Sequence, residues 1–254
     1  MTVVVEIDGH VATCTLDRPE RLNAIDLETY DGIVAFAEQL QADDELWVGI
    51  VTGAGDRAFS AGADLKKLLA QIAERGSGTV PPFVTAFTRV GLSKPLIAAV
   101  NGLAYGGGCE LALACDLRVL QTGARIALPE PKRGLIPGWG GTQLLPRLVP
   151  PAIALELLLT GRDVHAEEAL RIGLANRVAD DALQAARELA AEITANAPTA
   201  VRHIRRAALE GAELPLADAL ALEAKMMAAQ RATADSVEGV AAFVEKRQPV
   251  WRGR

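Results

Sequence analysis

The chain has 254 residues, of which 50% are hydrophobic and 23% are charged, and its formal net charge is −6. This composition is typical of a folded globular protein rather than a disordered one, and the acidic balance argues against a nucleic-acid surface. The apolar runs fall far short of the ~20 residues that cross a bilayer, and the N-terminus lacks the basic segment of a secretion signal, so we predict a cytoplasmic protein without membrane contact.

Strands and helices alternate over the first part of the chain. Hydrophobic patterning predicts strands at residues 3–6, 11–16, 47–51, 96–100, 117–120 and 125–127. Helices are predicted at residues 27–41, 65–73 and 83–92, and from the glycines at 106–108 to residue 115. Asp26 and Asp64 can cap the first two of these helices. The Gly/Pro-rich residues 76–82 predict a mobile surface loop.

The pattern changes after Pro151. Helical periodicity is predicted at residues 153–159, 166–172, 183–195, 199–209, 216–232 and 237–246, with one short strand near 175–178. An alternating part followed by a helical part predicts an α/β fold with a helical appendage.

The cysteines and histidines form no recognisable ligand set. We expect the cysteines to be reduced, buried thiols: Cys14, Cys109 and Cys115. The histidines match no HExxH-type pattern: His10, His165 and His203. We therefore predict no metal site.

Residues 59–65 (FSAGADL) lie between a predicted strand and a predicted helix. Small side chains there let a ligand approach the backbone, and N–H groups before a helix can face an anion. By itself the stretch is more typical of a tight loop that needs glycine.

Residues 101–110 (NGLAYGGGCE) place three consecutive glycines between a buried strand and an apolar helix. Such glycines destabilise an element by roughly 0.5–1 kcal/mol each, so they indicate a close backbone approach. Glu110 then falls on the first turn of that helix, either as a charge partner of the helix N-terminus or as a working carboxylate.

Residues 127–142 (ALPEPKRGLIPGWGGT) contain the second notable carboxylate. Glu130 lies between two prolines, which stiffen its backbone. A rigidly held carboxylate suits catalysis, although a glutamate in a surface turn is the commoner case.

These three stretches, in this order, resemble the enoyl-CoA hydratase/isomerase (crotonase) family. The 20-residue interval between Glu110 and Glu130 is that of hydratases in the family. Residues 16–24 (LDRPERLNA) and 242–247 (AFVEKR) match as well, so the resemblance covers nearly the whole chain. It implies a spiral of β-β-α turns over residues 1–195, a helical region at 196–254 that packs at subunit contacts, and trimers or pairs of trimers.

The resemblance also assigns roles to site residues. The backbone N–H groups of Ala63 and Gly107 would hold the thioester oxygen of an acyl-CoA substrate. One water would lie between the glutamates, with Glu110 activating it and Glu130 giving a proton to C2, and Gly138 N–H would touch the same water. Coenzyme A is part of the substrate, so no separate cofactor is expected.

Further residues are expected to contact coenzyme A, partly from an adjacent subunit: Arg18, Ala61, Ala63, Asp64, Leu65, Lys66, Phe243 and Lys246. For Lys246 the alternative is a solvated charge at a helix end. Trp139 departs from the family pattern, because small residues are frequent at its position in straight-chain hydratases. It can shorten the acyl pocket, which favours short or unusual acyl groups, or it can pack outward.

Other functions fit the sequence less well. Residues 53–58 match G-x-G-x-x-A but lack the helix that a dinucleotide site needs, and Ser60 is not in a G-x-S-x-G elbow. Within the family, two acids favour an enoyl-CoA hydratase over a double-bond isomerase. The C-terminal residues keep a carnitinyl-CoA dehydratase as the alternative, and a non-catalytic RNA-binding member is the remote one.

Overall fold

The computed structural model describes residues 2–67, 70, 74 and 80–254. Within them the strands are β1 (Val3–Asp8), β2 (Val11–Leu16), β3 (Val48–Gly53), β4 (Ala58–Ser60), β5 (Leu96–Val100), β6 (Leu103–Tyr105), β7 (Leu117–Gln121), β8 (Arg125–Ala127), β9 (Val164–His165) and β10 (Arg177–Ala179). The helices are α1 (Leu27–Ala42), α2 (Phe83–Arg89), α3 (Gly107–Ala114), α4 (Gly141–Leu148), α5 (Pro151–Thr160), α6 (Ala166–Arg171), α7 (Ala182–Thr194), α8 (Pro198–Gly211), α9 (Leu216–Arg231) and α10 (Ala234–Glu245). Short 3-10 turns occupy Pro19–Arg21 and Glu130–Arg133.

Local signals account for several of these elements. Asp26 caps α1, because its side chain accepts a hydrogen bond from the Thr29 amide at 2.9 Å. Gly9, with a φ of +53°, makes the turn between β1 and β2. The helix predicted at 65–73 is helical at its described residues, 65–67 and 70, and its other residues, with residues 76–79 of the loop predicted at 76–82, lie outside the described residues.

Sequence reasoning missed β4 and β6, which lie inside stretches interpreted as loops. Each of these two strands has three residues, which are too few to show a period of two, and each is defined by its pairing partner. β4 also occupies the place where a dinucleotide-binding helix would begin, so the pattern at 53–58 is not at a strand-to-helix turn.

The strands form two sheets. The first has the order β1-β2-β3-β5-β7-β10 and is parallel except for the β1–β2 hairpin. The second has the order β4-β6-β8-β9, and its first three strands are parallel. β3 and β5 are buried along their whole length, as expected for parallel strands covered on both faces.

The chain alternates between these sheets. The successive pairs β3–β4, β5–β6 and β7–β8 each place their first strand in the first sheet and their second strand in the second sheet. This arrangement is the predicted spiral of β-β-α turns, and the predicted helical C-terminal region follows it as α8–α10. The domain boundary predicted at residue 195 falls between α7 and α8.

Two apolar clusters hold the sheets. In the smaller one, alanines along α7 pack on strand residues such as Ile50, Ile97 and Val119. The larger one fills the space between the sheets and α1–α6 and contains all three free cysteines. Among the described residues, every helix is too short or too polar to cross a membrane.

Candidate active site

Three chain segments meet at one end of the second sheet. β4, β6 and β8 are parallel neighbours, so the segments that follow them start from a common edge. Ala63 follows β4, Gly107 follows β6 and Glu130 follows β8. The spiral therefore gathers residues that are far apart in the sequence.

The amides of Ala63 and Gly107 are close together. A Cβ atom on Gly107 would lie 3.4 Å from the Ala63 nitrogen, and one on Gly62 would lie 3.1 Å from the Gly107 nitrogen. Gly107 is the first residue of α3, so its N–H has no acceptor within the helix. Gly106, with a φ of +52°, makes the turn into this helix. Two main-chain donors can thus face one anionic oxygen at a helix N-terminus.

Glu110 is a buried carboxylate with two main-chain partners. Its side chain lies in the first turn of α3, it is 2% exposed, and Oε1 accepts hydrogen bonds from the amides of Trp139 (2.6 Å) and Gly141 (2.9 Å). Gly141 is the first residue of α4, so the carboxylate also faces the positive end of that helix dipole. Burial raises the pKa of Glu110 to about 7, the two amides oppose the rise, and the nearby Glu130 charge adds to it. A carboxyl with this pKa can exchange protons near neutral pH.

Glu130 starts the 3-10 turn between Pro129 and Pro131. Its Oε1 would lie 2.9 Å from a Cβ atom on Gly106. Among the buried side-chain nitrogens and oxygens of the described residues, Glu130 Oε2 is the one without a hydrogen-bond partner. Burial raises the pKa of Glu130, against the lowering effect of a backbone hydrogen bond and of Arg133. An unpartnered buried carboxyl oxygen is rare in proteins and favours the protonated form, which can give up a proton.

The indole of Trp139 lies over Gly107. The residue is 8% exposed, and a Cβ atom on Gly107 would lie 2.5 Å from Cζ3 of the ring. The Trp139 ring centroid is 5.3 Å from that of Phe83 and 6.0 Å from that of Tyr30. Trp139 therefore packs inward, and the three rings form an aromatic wall beside the two amides.

The model of the enoyl-CoA hydratase/isomerase family matches residues 6–254. The chain belongs to this family. The fold class and the family predicted from the motifs are thereby confirmed.

Individual family members cover the chain almost completely. The short-chain-enoyl-CoA hydratase of Clostridium acetobutylicum is 39% identical over 251 residues, which are 97% of this chain and 95% of that protein. The carnitinyl-CoA dehydratase of Escherichia coli K12 is 42% identical over 256 residues, which are 97% of each. The crystal structure of an enoyl-CoA hydratase from Mycobacterium tuberculosis H37Rv has a TM-score of 0.92 and 40% identity, and covers 100% of this chain and 99% of that one.

Some residues predicted for the site of this hydratase/isomerase family member lie at its margin. Gly138 is exposed, and the amides that reach Glu110 belong to residues 139 and 141 instead. Leu65 and Lys66 are exposed at the start of the helical turn after Asp64. The Ala61 amide donates to the Leu22 carbonyl at 2.9 Å and is thus occupied within the protein.

Two predicted residues lie in the C-terminal region. Phe243 and Lys246 are at the end of α10, where Phe243 is 85% exposed and Lys246 is also exposed. Neither packs against the glutamates of the same chain. Arg18 is the opposite case, because its side chain is turned inward and forms ion pairs with Asp26 and Asp64, each at 3.2 Å.

Sequence reasoning missed the partners of Glu110 and the aromatic wall. A signal for the first existed, since Gly140, with a φ of +110°, directly precedes α4 and Gly141 is its first residue. Tyr30 and Phe83 gave no local signal, because α1 and α2 bring them to Trp139 only through tertiary packing.

Proposed function

We propose that this protein hydrates the 2,3 double bond of a 2-enoyl-CoA thioester, reversibly and with syn geometry. One observation carries the proposal: the buried carboxyl of Glu110 and the partly buried carboxyl of Glu130, both with raised pKa values, lie beside two main-chain amides at one edge of the second sheet. Family membership supports the thioester as the substrate class.

The amides of Ala63 and Gly107 would bind the thioester oxygen. When water attacks C3, negative charge moves through C2 onto that oxygen and gives an enolate-like state. Fixed donors stabilise this charge as it develops, and removing one such donor in other enzymes costs roughly 3–4 kcal/mol. Because the donors belong to the backbone, the fold positions them whatever the side chains are.

The two carboxyls would carry the protons. Ionised Glu110 takes a proton from water while the water oxygen bonds to C3, and protonated Glu130 delivers a proton to C2. Glu110 ends protonated and Glu130 ionised, and proton exchange with solvent restores the starting state. General acid–base catalysis of this kind contributes roughly 10²- to 10⁴-fold.

The aromatic wall supports a short acyl group. Trp139 lies directly over Gly107, next to where the reacting carbons would lie, and Tyr30 and Phe83 back it. A long straight chain would need the space that these rings fill.

The remaining contacts to coenzyme A are proposed from both ends of the chain. Main-chain atoms at 61–66 would follow the pantetheine arm, and Phe243 with Lys246 would reach it from an adjacent subunit. We propose a homotrimer or a dimer of trimers, because apolar side chains on α8–α10 such as Ile204 and Val237 are exposed in the single chain. No other cofactor enters the proposal.

Carnitinyl-CoA dehydration is the second candidate. It is the same chemistry on a charged acyl group, and the E. coli protein with that name is 42% identical to this chain. Double-bond isomerisation is less favoured, because it can proceed with one acid and this chain has two. RNA binding is the remote alternative.

A substrate screen tests the proposal. The loss or gain of enoyl absorbance is followed with crotonyl-CoA, longer 2-enoyl-CoA esters and crotonobetainyl-CoA, beside Glu110→Gln and Glu130→Gln. Each variant is expected to lower kcat by at least about 10²-fold while folding normally. Glu167→Gln, an exposed glutamate on α6, is the matched control.

The outcomes separate the candidates. Faster turnover of crotonobetainyl-CoA would favour the dehydratase, and movement of the double bond without hydration would favour the isomerase. Near-normal turnover in either glutamine variant would remove that glutamate from the mechanism. Binding in an RNA gel shift without turnover of any thioester would overturn the proposal.

A further inference from the structure

We propose that Arg18 is a positioning residue, which fixes the Ala63 amide where the thioester oxygen binds. This inference rests on the proposed function. Arg18 follows β2, and its side chain is 11% exposed. It lies against the segment that carries Ala63, although it is far from Ala63 in the sequence.

The main chain forms the first half of this arrangement. Ile25 donates from its amide to the Gly62 carbonyl at 2.8 Å, and the Asp64 amide donates to the Ile25 carbonyl at 2.9 Å. These bonds make an isolated parallel bridge between Ile25 and Ala63. Both hydrogen bonds involve Ile25, so these two bonds anchor the segment around Ala63 to one residue only, Ile25.

The Arg18 guanidinium forms the second half. Nη1 donates to the Ala24 carbonyl at 2.5 Å and lies 3.2 Å from Asp26 Oδ2, while Nη2 lies 3.2 Å from Asp64 Oδ2. The group thus joins the residues on both sides of Ile25 to the residue that directly follows Ala63. A planar guanidinium with donors in fixed directions suits this three-point contact better than a lysine ammonium.

Burial and opposite charge stabilise the contact between Arg18 and Asp26. Asp26 is fully buried, and although burial alone would raise the pKa of its carboxyl, hydrogen bonds from Lys67 and Thr29 and the Arg18 charge hold the pKa below its usual range. Lys67 Nζ lies 2.5 Å from Asp26, so Asp26 keeps a cation when Arg18 is removed. Losing Arg18 should therefore affect the Asp64 side of the network more than the cap of α1.

The positioning role differs from a contact with coenzyme A. Both terminal nitrogens of Arg18 already face groups of the protein, whereas a phosphate contact would need them to face the ligand. Donors for a developing oxyanion must lie within a few tenths of an ångström of their place, and a misplacement of about 1 Å can lower a rate about 10²-fold.

The test compares two thioesters. Kinetics of Arg18→Gln are measured with crotonyl-CoA and with crotonyl-pantetheine, which has the same reacting group but lacks the nucleotide. Positioning predicts that kcat falls about 10- to 100-fold with both thioesters and that KM changes less than about threefold. Arg21→Gln, an exposed arginine in the same segment, is the matched control and should behave as the unmodified protein.

A second variant approaches the contact from its other side. Asp64→Asn leaves Arg18 with Asp26 and Ala24 and should lower kcat in the same way with both thioesters. In the double variant the two effects should not add, because either change breaks the same contact. If Arg18→Gln fails to fold, Asp64→Asn carries the comparison alone.

Other results would overturn the inference. A loss confined to crotonyl-CoA, seen mainly in KM, would make Arg18 a nucleotide contact, and unchanged kcat with both thioesters would make it dispensable. If the unmodified protein hydrates neither thioester, the proposed function fails and the inference fails with it. If it hydrates both and the variants do not respond as stated, only the role of Arg18 is wrong.

Discussion

The spiral and the C-terminal helices depart from the usual division of polar and apolar residues in opposite ways. At the site, Glu110 is buried at 2% exposure, and Glu130 has a buried oxygen without a partner. On α10, apolar side chains such as Val237, Val240 and Phe243 are at least 66% exposed. Buried polar groups and exposed apolar patches are the informative exceptions in a globular protein.

The two exceptions differ in whether the same chain compensates their energetic cost. The Glu110 carboxylate is stabilised by two amides at the start of α4, so its burial is part of the fold of one chain. The apolar face of α8–α10 has no such compensation within the described chain. The first exception supports the proposed role of Glu110 in catalysis, and the second supports the proposed contact with another copy of the chain.

The largest expected effect on stability is at Trp139 in the spiral, and truncation of an aromatic residue on α10 is the comparison. Trp139→Ala should lower the free energy of unfolding by about 3–5 kcal/mol, because it removes a buried ring. Phe243→Ala should change it by less than about 0.5 kcal/mol in the isolated chain, because its ring is exposed. Urea unfolding at one protein concentration measures both, and equal losses would remove the distinction between the regions.

The same Trp139 variant tests the aromatic wall. With the indole gone, longer 2-enoyl-CoA esters should gain relative to crotonyl-CoA by about tenfold in kcat/KM, in line with what one or two methylenes are worth in a pocket. Trp139→Phe keeps a ring over Gly107 and should retain the short-chain preference. An unchanged chain-length profile in Trp139→Ala would contradict a short acyl pocket.

Glu110 is expected to make the stability of the protein depend on pH. Burial raises the pKa of this carboxyl from 4.5 to about 7, so the folded chain binds its proton more tightly than the unfolded chain does. This contribution to stability is fully present below pH 4.5 and is lost as the pH rises through about 7. Glu110→Gln keeps an oxygen for the two amides but cannot ionise, so its stability relative to the unmodified protein should rise between pH 5 and pH 8, by up to about 3 kcal/mol.

Thermal unfolding across that pH range checks this prediction. Glu38→Gln, on the exposed side of α1, is the control and should leave the pH profile of stability in place. A constant difference between Glu110→Gln and the unmodified protein from pH 5 to pH 8 would mean that the buried carboxyl does not titrate in this range.

The smallest effect on folding is expected in the C-terminal region, where assembly should change instead. Val240→Ser with Phe243→Ser should leave the unfolding free energy of the single chain within about 0.5 kcal/mol. Light scattering should then show a lower mass than the proposed trimer or dimer of trimers, since apolar area buried between copies would be reduced. Ile7→Ser, an exposed apolar residue on β1, should leave the assembly intact. An unchanged mass in the double variant would place the subunit contact elsewhere.

Much of the fold could be predicted from local patterns. The strands at 11–16 and 96–100 have the predicted bounds, and Asp26 caps α1 as predicted. These succeed because a buried strand of five or six residues, or an Asp before an apolar helix, carries its signal within a few neighbouring residues. β4 and β6 carry no such signal, because their three residues become strands only by pairing with each other and with β8.

The candidate site also has features that local motifs indicate and features that depend on tertiary packing. The order of the motifs identified the family, because those motifs are short stretches that can be recognised locally, and the resemblance then implied the roles of Ala63, Gly107, Glu110 and Glu130. Sequence could not show that Trp139 packs inward, because that depends on Phe83 and Tyr30 from separate helices.

The sequence by itself therefore determined the family, the alternation of elements and the residue types able to do the chemistry. Only the tertiary structure decided that Oε1 of Glu110 meets the N-terminus of α4, that Trp139 covers Gly107, and that Arg18 faces Asp26 and Asp64. Each of these contacts joins segments that are distant in the chain. Their geometry follows from how the spiral stacks its turns, and this stacking is a property of the whole packed core rather than of any local pattern.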